Sequence, residues 1–186
     1  MATIPKIWFL RHGQTQWNLE RRLQGRLDSP LTDLGLAQAA QQAAIVGPVL
    51  KAMPDIPCLV SPQGRAVHTA EIALSGRTFE TDPRLAEVAT GEWEGQLRAD
   101  LPTGGLNDLF LYTSAPGGEG FDALEARVRG VLEDLQGETV IVSHGLLGKV
   151  LRGLVRGLAR DEMDALSNKQ GCVYVLENGR EICLEA

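Results

Sequence analysis

The run Ile7-Trp8-Phe9-Leu10-Arg11-His12-Gly13 decides how this chain folds, and Thr139-Val140-Ile141-Val142-Ser143-His144-Gly145 repeats its logic near the other end. In each, a short run of strand-forming residues leads into one polar residue, a histidine and a glycine. Near-continuous apolar runs of this length mark strands buried on both faces, as in parallel sheets covered by helices. Ligands bind beyond the carboxyl ends of such strands. Both imidazoles are therefore expected in one crevice, and two of the chain's three histidines occupy these positions.

Outward from these runs, helix and strand patterns alternate. Leu31-Thr32 opens a helix that Thr32 can cap, with Leu36, Ala40 and Ala43 on one face; Gly47-Pro48 is expected to break or kink it. Cys58-Leu59-Val60 reads as a short strand closed by Ser61-Pro62, Gly64 to Leu74 as a helix, and Thr78-Phe79-Glu80 as another short strand. Between Glu87 and Gly120 glycines are frequent and periodicity is poor, so loops are expected, with a short helix around Leu106 to Tyr112. Phe121, Leu124, Val128, Val131 and Leu135 step by three and four residues, an amphipathic helix ending near Gly137. Gly145 to Leu158 carries a broad apolar stripe of the same period. Cys172 to Leu176 and Glu181 to Leu184 then form a hairpin through Asn178-Gly179, which tolerates positive φ. The pattern predicts an α/β fold: a three-layer α/β/α sandwich with a mixed, mostly parallel sheet and an antiparallel C-terminal hairpin. No repeat or linker divides the 186 residues, so one domain, 1-186, is expected.

Composition narrows the function. A formal charge of -6, from 18 basic and 24 acidic residues, argues against a general nucleic-acid or membrane-surface binder, so no nucleic acid and no membrane is expected as partner. Any anion recognition must be local, and Arg11, Arg21, Arg22 and Arg26 do cluster near the first motif; for Arg21 and Arg22 a solvated loop is an equal reading. Cys58, Cys172 and Cys183 are odd in number and lack Cys-x-x-Cys spacing, which suggests reduced thiols and a cytoplasmic location. No stretch approaches the ~18 apolar residues of a membrane span. The exposed edge of the last hairpin could pair two subunits into a homodimer.

At the strand ends gather Arg11, His12, Arg65 and His144. Guanidiniums bind phosphate in bidentate fashion and stay charged, while a histidine can attack, donate or accept a proton near neutrality. This is equipment for phosphoryl transfer. A single histidine beside a glycine is more often structural, and a lone loop arginine is usually solvated; four such residues at one sheet edge are hard to explain that way. His68 reads as structural or surface, and Trp17 and Trp93 as packing residues.

Leu10-Arg11-His12-Gly13-Gln14-Thr15, Trp17-Asn18, Gln24-Gly25, Asp28-Ser29-Pro30-Leu31-Thr32, Ser61-Pro62-x-x-Arg65-Ala66-x-x-Thr69-Ala70, Leu85-x-Glu87, Gly91-x-Trp93-Glu94-Gly95, Pro116-Gly117-Gly118-Glu119 and Val142-Ser143-His144-Gly145 together resemble the histidine phosphatase superfamily, in its phosphoglycerate-mutase-like branch. The resemblance implies that His12 is the nucleophile that becomes a phosphohistidine and that Arg11, Arg65 and His144 hold the phosphoryl oxygens. It also implies that Asn18, Gln24 and the backbone amides of Gly25 and Gly145 line the phosphate pocket, and that Glu87 donates the proton to the leaving group. Two arginines already neutralise a phosphate, so no metal and no cofactor is called for. Gly120 departs from the pattern, which often carries a hydroxyl residue there.

The expected activity is hydrolysis of a small phosphorylated metabolite. A phosphoglycerate-mutase-type transferase is the alternative inside the family, disfavoured because the segment between Glu94 and Pro116 is short and would leave the site open to water. A catalytically silent phosphate-binding scaffold is the alternative outside it. Cysteine-based phosphatase chemistry fails on spacing, since six residues separate Cys58 from Arg65 where five are needed. No Gly-x-Ser-x-Gly elbow or Gly-x4-Gly-Lys-Ser/Thr loop is present.

Overall fold

A computed structural model describes residues 4–102 and 104–186. Its centre is a six-stranded sheet of order β3-β2-β4-β1-β5-β6, formed by β1 (Ile7–Arg11), β2 (Cys58–Val60), β3 (Glu80–Thr81), β4 (Thr139–Ser143), β5 (Val173–Glu177) and β6 (Arg180–Leu184). The first four strands run parallel; β5 is antiparallel to β1, and β6 to β5. Asn178 and Gly179 turn the hairpin with φ of 51° and 72°, the double positive φ expected of the tightest right-twisted turn.

Helices cover both faces. On one side α2 (Asp33–Ala52) and α3 (Gly64–Ala73) pack on Leu10, Val60, Val140, Val142 and Val173. On the other, α5 (Phe121–Asp134), α6 (Gly145–Arg156) and α7 (Arg160–Asp164) pack on Ile7, Phe9, Ile141, Tyr174 and Leu176. Successive residues of β1 and β4 thus bury in opposite layers, and each fully buried Leu, Ile or Phe contributes roughly 1.5–3 kcal/mol. A slip of one residue would exchange the two faces, so the register Arg11 opposite Ser143 is strongly specified. Histidines 12 and 144 follow that matched pair directly.

Three expectations need correction. The helix α2 is not broken at Gly47-Pro48 but runs through Pro48 to Ala52. Proline removes the N–H that the Ala44 carbonyl would accept, yet Val46 and Leu50 are buried in the α2–α3 layer, and that packing holds the last turn. Strand β3 is Glu80–Thr81 rather than residues 78 to 80, because its partners are Leu59 and Val60. The helix expected from Leu106 is α4, Asp108–Thr113. Two five-residue helices, α1 (Gln16–Glu20) and α7, carry too few residues for periodicity to show them. Among the described residues no helix is long and apolar enough to cross a membrane.

Candidate active site

Beyond the carboxyl ends of β1 and β4 lies a cleft of about 320 Å³ whose walls include Arg11, His12, Asn18, Gln24, Gly25, Arg65, Glu87 and Gly145. Eight of the nine residues singled out from the sequence therefore face one space. The ninth, His144, is fully buried behind the wall, with its ring centroid 5.2 Å from that of His12.

The amide of His12 donates to the Ser143 carbonyl at 2.9 Å, continuing the β1–β4 ladder one step past the strand. Its Nδ1 lies 2.7 Å from the Gly13 carbonyl. A carbonyl oxygen only accepts, so Nδ1 carries the proton and Nε2 keeps a free lone pair. Burial, then the charges of Arg65 and Arg11, hold His12 well below the usual imidazole range. The ring is thus neutral and nucleophilic at physiological pH. Gly13 is required for a simple reason: a Cβ there would sit 2.3 Å from the Gly35 carbonyl at the start of α2.

His144 is held similarly low, by burial first and then by Arg65, His12 and Arg11. Its Nε2 is 2.6 Å from the Ser61 hydroxyl, which follows β2. Arg65, in the first turn of α3, spreads its fork over the loop that follows α1. It donates to the carbonyls of Leu27 at 2.7 Å and Gly25 at 3.0 Å and to Asp28 at 3.0 Å. Arg11 donates to the Asn168 carbonyl. Burial lowers both guanidiniums from their ordinary values without making them titratable near neutrality. After these bonds, Arg11 Nε, Arg65 Nε and His144 Nδ1 remain buried with no partner among the described residues. Those three atoms are closed off from solvent, but the Arg11 and Arg65 side chains also line the cleft, and planar guanidinium donors suit an oxyanion there.

Glu87 sits on the opposite wall. Its Oε1 accepts from the amides of Val88 at 3.0 Å and Leu147 at 2.9 Å, and its Oε2 from Leu146 at 3.0 Å. Glu87 thereby caps α6 from outside the helix, leaving the Gly145 amide at the helix mouth for an anion. Gln24 accepts from Ser29 Oγ at 3.2 Å through Oε1. Gly25 has φ of 50°, and a Cβ there would lie 2.3 Å from Glu94 Oε1.

Other residues were not visible from the sequence. Glu94, part of the Gly91-x-Trp93-Glu94-Gly95 motif, accepts from the amides of Arg26 at 2.9 Å and Thr90 at 3.2 Å and so shapes the loop that carries Gly25. Just before β5, Asn168 lines the cleft and Gln170 reaches the His12 carbonyl behind it, because β5 is antiparallel to β1 and begins where β1 ends. Nothing in the letters announces that neighbour relation. Of the four arginines near the first motif, Arg11, Arg21 and Arg22 line the cleft, whereas Arg26 pairs with Glu119 at 3.6 Å. Glu119 also receives Arg127 at 2.5 Å, and Gly120, with φ of 79°, starts α5 without a side-chain cap. The outer rim comes from Arg98, Asp108 and Tyr112: Arg98 pairs with Asp108 at 3.0 Å and lies 5.6 Å over the Tyr112 ring. His68 is exposed on α3.

Comparison with known proteins agrees with this geometry. A family model described as "Histidine phosphatase superfamily (branch 1)" matches residues 7–182. The chain is 33% identical over 175 residues to a protein of Cronobacter sakazakii named "Probable phosphoglycerate mutase GpmB", covering 82% of this chain and 75% of that one. Among solved structures it resembles a candidate alpha-ribazole-5'-P phosphatase from Escherichia coli K-12, with a TM-score of 0.78, 27% identity and coverage of 97% and 96%. It also resembles a mycobacterial glucosyl-3-phosphoglycerate phosphatase complexed with VO3, with a TM-score of 0.77, 30% identity and coverage of 92% and 90%.

Proposed function

Since the chain belongs to branch 1 of the histidine phosphatase superfamily, we propose that it is a phosphomonoester hydrolase working through a phosphohistidine on a small phosphorylated metabolite. The observation that carries this reading is the fixed tautomer of His12: Nδ1–H is tied to Gly13 and Nε2 is unprotonated, beside the guanidiniums of Arg11 and Arg65, which line the same cleft.

In this reading His12 Nε2 attacks phosphorus in line. Arg11, Arg65, His144 and the Gly145 amide stabilise the charge spread over the equatorial oxygens, with Asn18, Gln24 and the Gly25 amide completing the cup. Glu87 gives its proton to the departing alkoxide, and the amides of Val88, Leu146 and Leu147 hold the carboxylate that results. Water then attacks the phosphohistidine and Glu87 takes a proton back; such help is typically worth ~10²–10⁴-fold. The free thiols of Cys58, Cys172 and Cys183 suit a cytoplasmic site of action.

A second reading is favoured by the curated relatives' names: phosphoryl transfer between positions of a phosphoglycerate. Hydrolysis is preferred because the described residues of the segment between Glu94 and Pro116 contribute a three-residue turn and the six-residue α4, little to exclude water. The deciding experiment is rapid quench with an aryl phosphate and peptide mapping of the adduct, alongside phosphate release from a panel of phosphomonoesters. The expected result is a phosphoryl group on His12, no turnover in His12→Ala and inhibition by vanadate. Isomerisation of a phosphoglycerate outpacing phosphate release would favour the mutase; phosphate binding without turnover would favour a silent scaffold.

A further inference from the structure

Behind the cup, Gln170 makes two bonds through one atom. Its Nε2 lies 2.9 Å from the His12 carbonyl and 3.3 Å from Asn18 Oδ1. The carbonyl of His12 only accepts, so the end of Gln170 facing it must be the NH2 group, with its second hydrogen free for Asn18. Asn18 Oδ1 also accepts from the Thr15 amide at 3.2 Å, within the capping box that starts α1. Two donors on one side therefore fix which end of the Asn18 amide is oxygen. Its Nδ2, the only donor of that side chain, is turned the other way, and Asn18 lines the cleft while Gln170 does not.

We propose that Gln170 is a positioning residue that reads the main chain of the nucleophile and, by it, orients the Asn18 amide so that Nδ2 donates to the phosphoryl group. The proposal rests on the phosphatase reading for its ligand, yet it concerns a residue outside the motifs that identify the family. Without Gln170, only the Thr15 bond opposes a flip of the Asn18 amide. A flip would present an oxygen lone pair to an anion.

Gln170 is half-buried in a loop, so substitutions there are compatible with folding. The test measures inorganic phosphate binding by calorimetry for wild type, Gln170→Met, Asn18→Ala and the double variant, with thermal melts alongside. The expected result is about tenfold weaker binding in Gln170→Met and under twofold further change when Gln170→Met is added to Asn18→Ala, the non-additivity of groups acting as one unit. Gln170→Glu, which supplies acceptors only, should lose at least as much as Gln170→Met. Unchanged binding in Gln170→Met, or equal losses with and without Asn18, would overturn the proposal while leaving the phosphatase reading intact. A wild-type protein that binds no phosphate would overturn both.

Discussion

The imidazoles of His12 and His144 stand 5.2 Å apart, tilted by 59°, because the parallel strands that deliver them are locked with Arg11 opposite Ser143. Their proximity comes from the sheet and not from loop conformation. Two histidines so close to Arg11 and Arg65 cannot both be charged cheaply, and burial holds each well below the usual imidazole range.

This has a consequence for stability. The folded state keeps both rings neutral, while the unfolded chain takes up protons below about pH 6.5. Because the unfolded state then binds more protons, stability contributed by these sites is complete above that pH and is lost as pH falls, by up to about 1.4 kcal/mol per pH unit for each histidine. Urea unfolding in phosphate-free buffer at pH 7.5 and 5.5 should show the loss, with a shallower dependence in His144→Gln. An identical dependence in the variant would refute the assignment.

Glu87 combines an acid's position with a helix-capping bond set. Glu87→Gln should slow alkyl phosphates, whose alkoxides leave poorly, by ~10²-fold or more and aryl phosphates far less. Glu87→Ala should in addition cost about 1 kcal/mol of stability by uncapping α6. Comparable rate losses on both substrate classes would remove Glu87 from the proton-transfer role.

Arg65 ties the loop carrying Gly25, Leu27 and Asp28 to α3 through a planar fork. A lysine keeps the charge but is a single point donor. Arg65→Lys is expected to reduce kcat/KM by ~10²-fold, with weaker vanadate inhibition, in a protein that still folds. Retention of near wild-type kcat/KM would show that charge alone suffices.

The unbroken α2 predicts a gain of function-neutral stability. Pro48 lies inside the continuous helix and leaves one carbonyl without its donor. Pro48→Ala should raise stability by about 1 kcal/mol, which for a chain of this size is roughly 2–4 °C in Tm. A fall in Tm would mean that proline's restriction of the unfolded chain outweighs the missing bond.

The sequence made legible those features that depend on local pattern: the two buried strands ending in histidine-glycine, the hairpin at Asn178-Gly179, the amphipathic α5, and the set Arg11, His12, Arg65 and His144. A break at Gly47-Pro48 does not occur, because burial of Val46 and Leu50 keeps α2 continuous past the local breaker. The sequence could not show that β5 lies beside β1, and hence that Asn168 stands at the cup and Gln170 behind it. Those contacts span more than 150 positions of chain, and no periodicity encodes such a pairing. Glu87 was placed on the cleft by motif alone; its capping of α6 is a three-dimensional fact.

The rim residues Arg98, Asp108 and Tyr112 belong to a stretch whose described residues contribute no strand to the sheet. Under the proposed reading, reactivity and selectivity are inherited on separate pieces of this polypeptide. A lineage could trade one metabolite for another by rewriting the segment from 95 to 120, while the paired strands went on delivering an unchanged warhead.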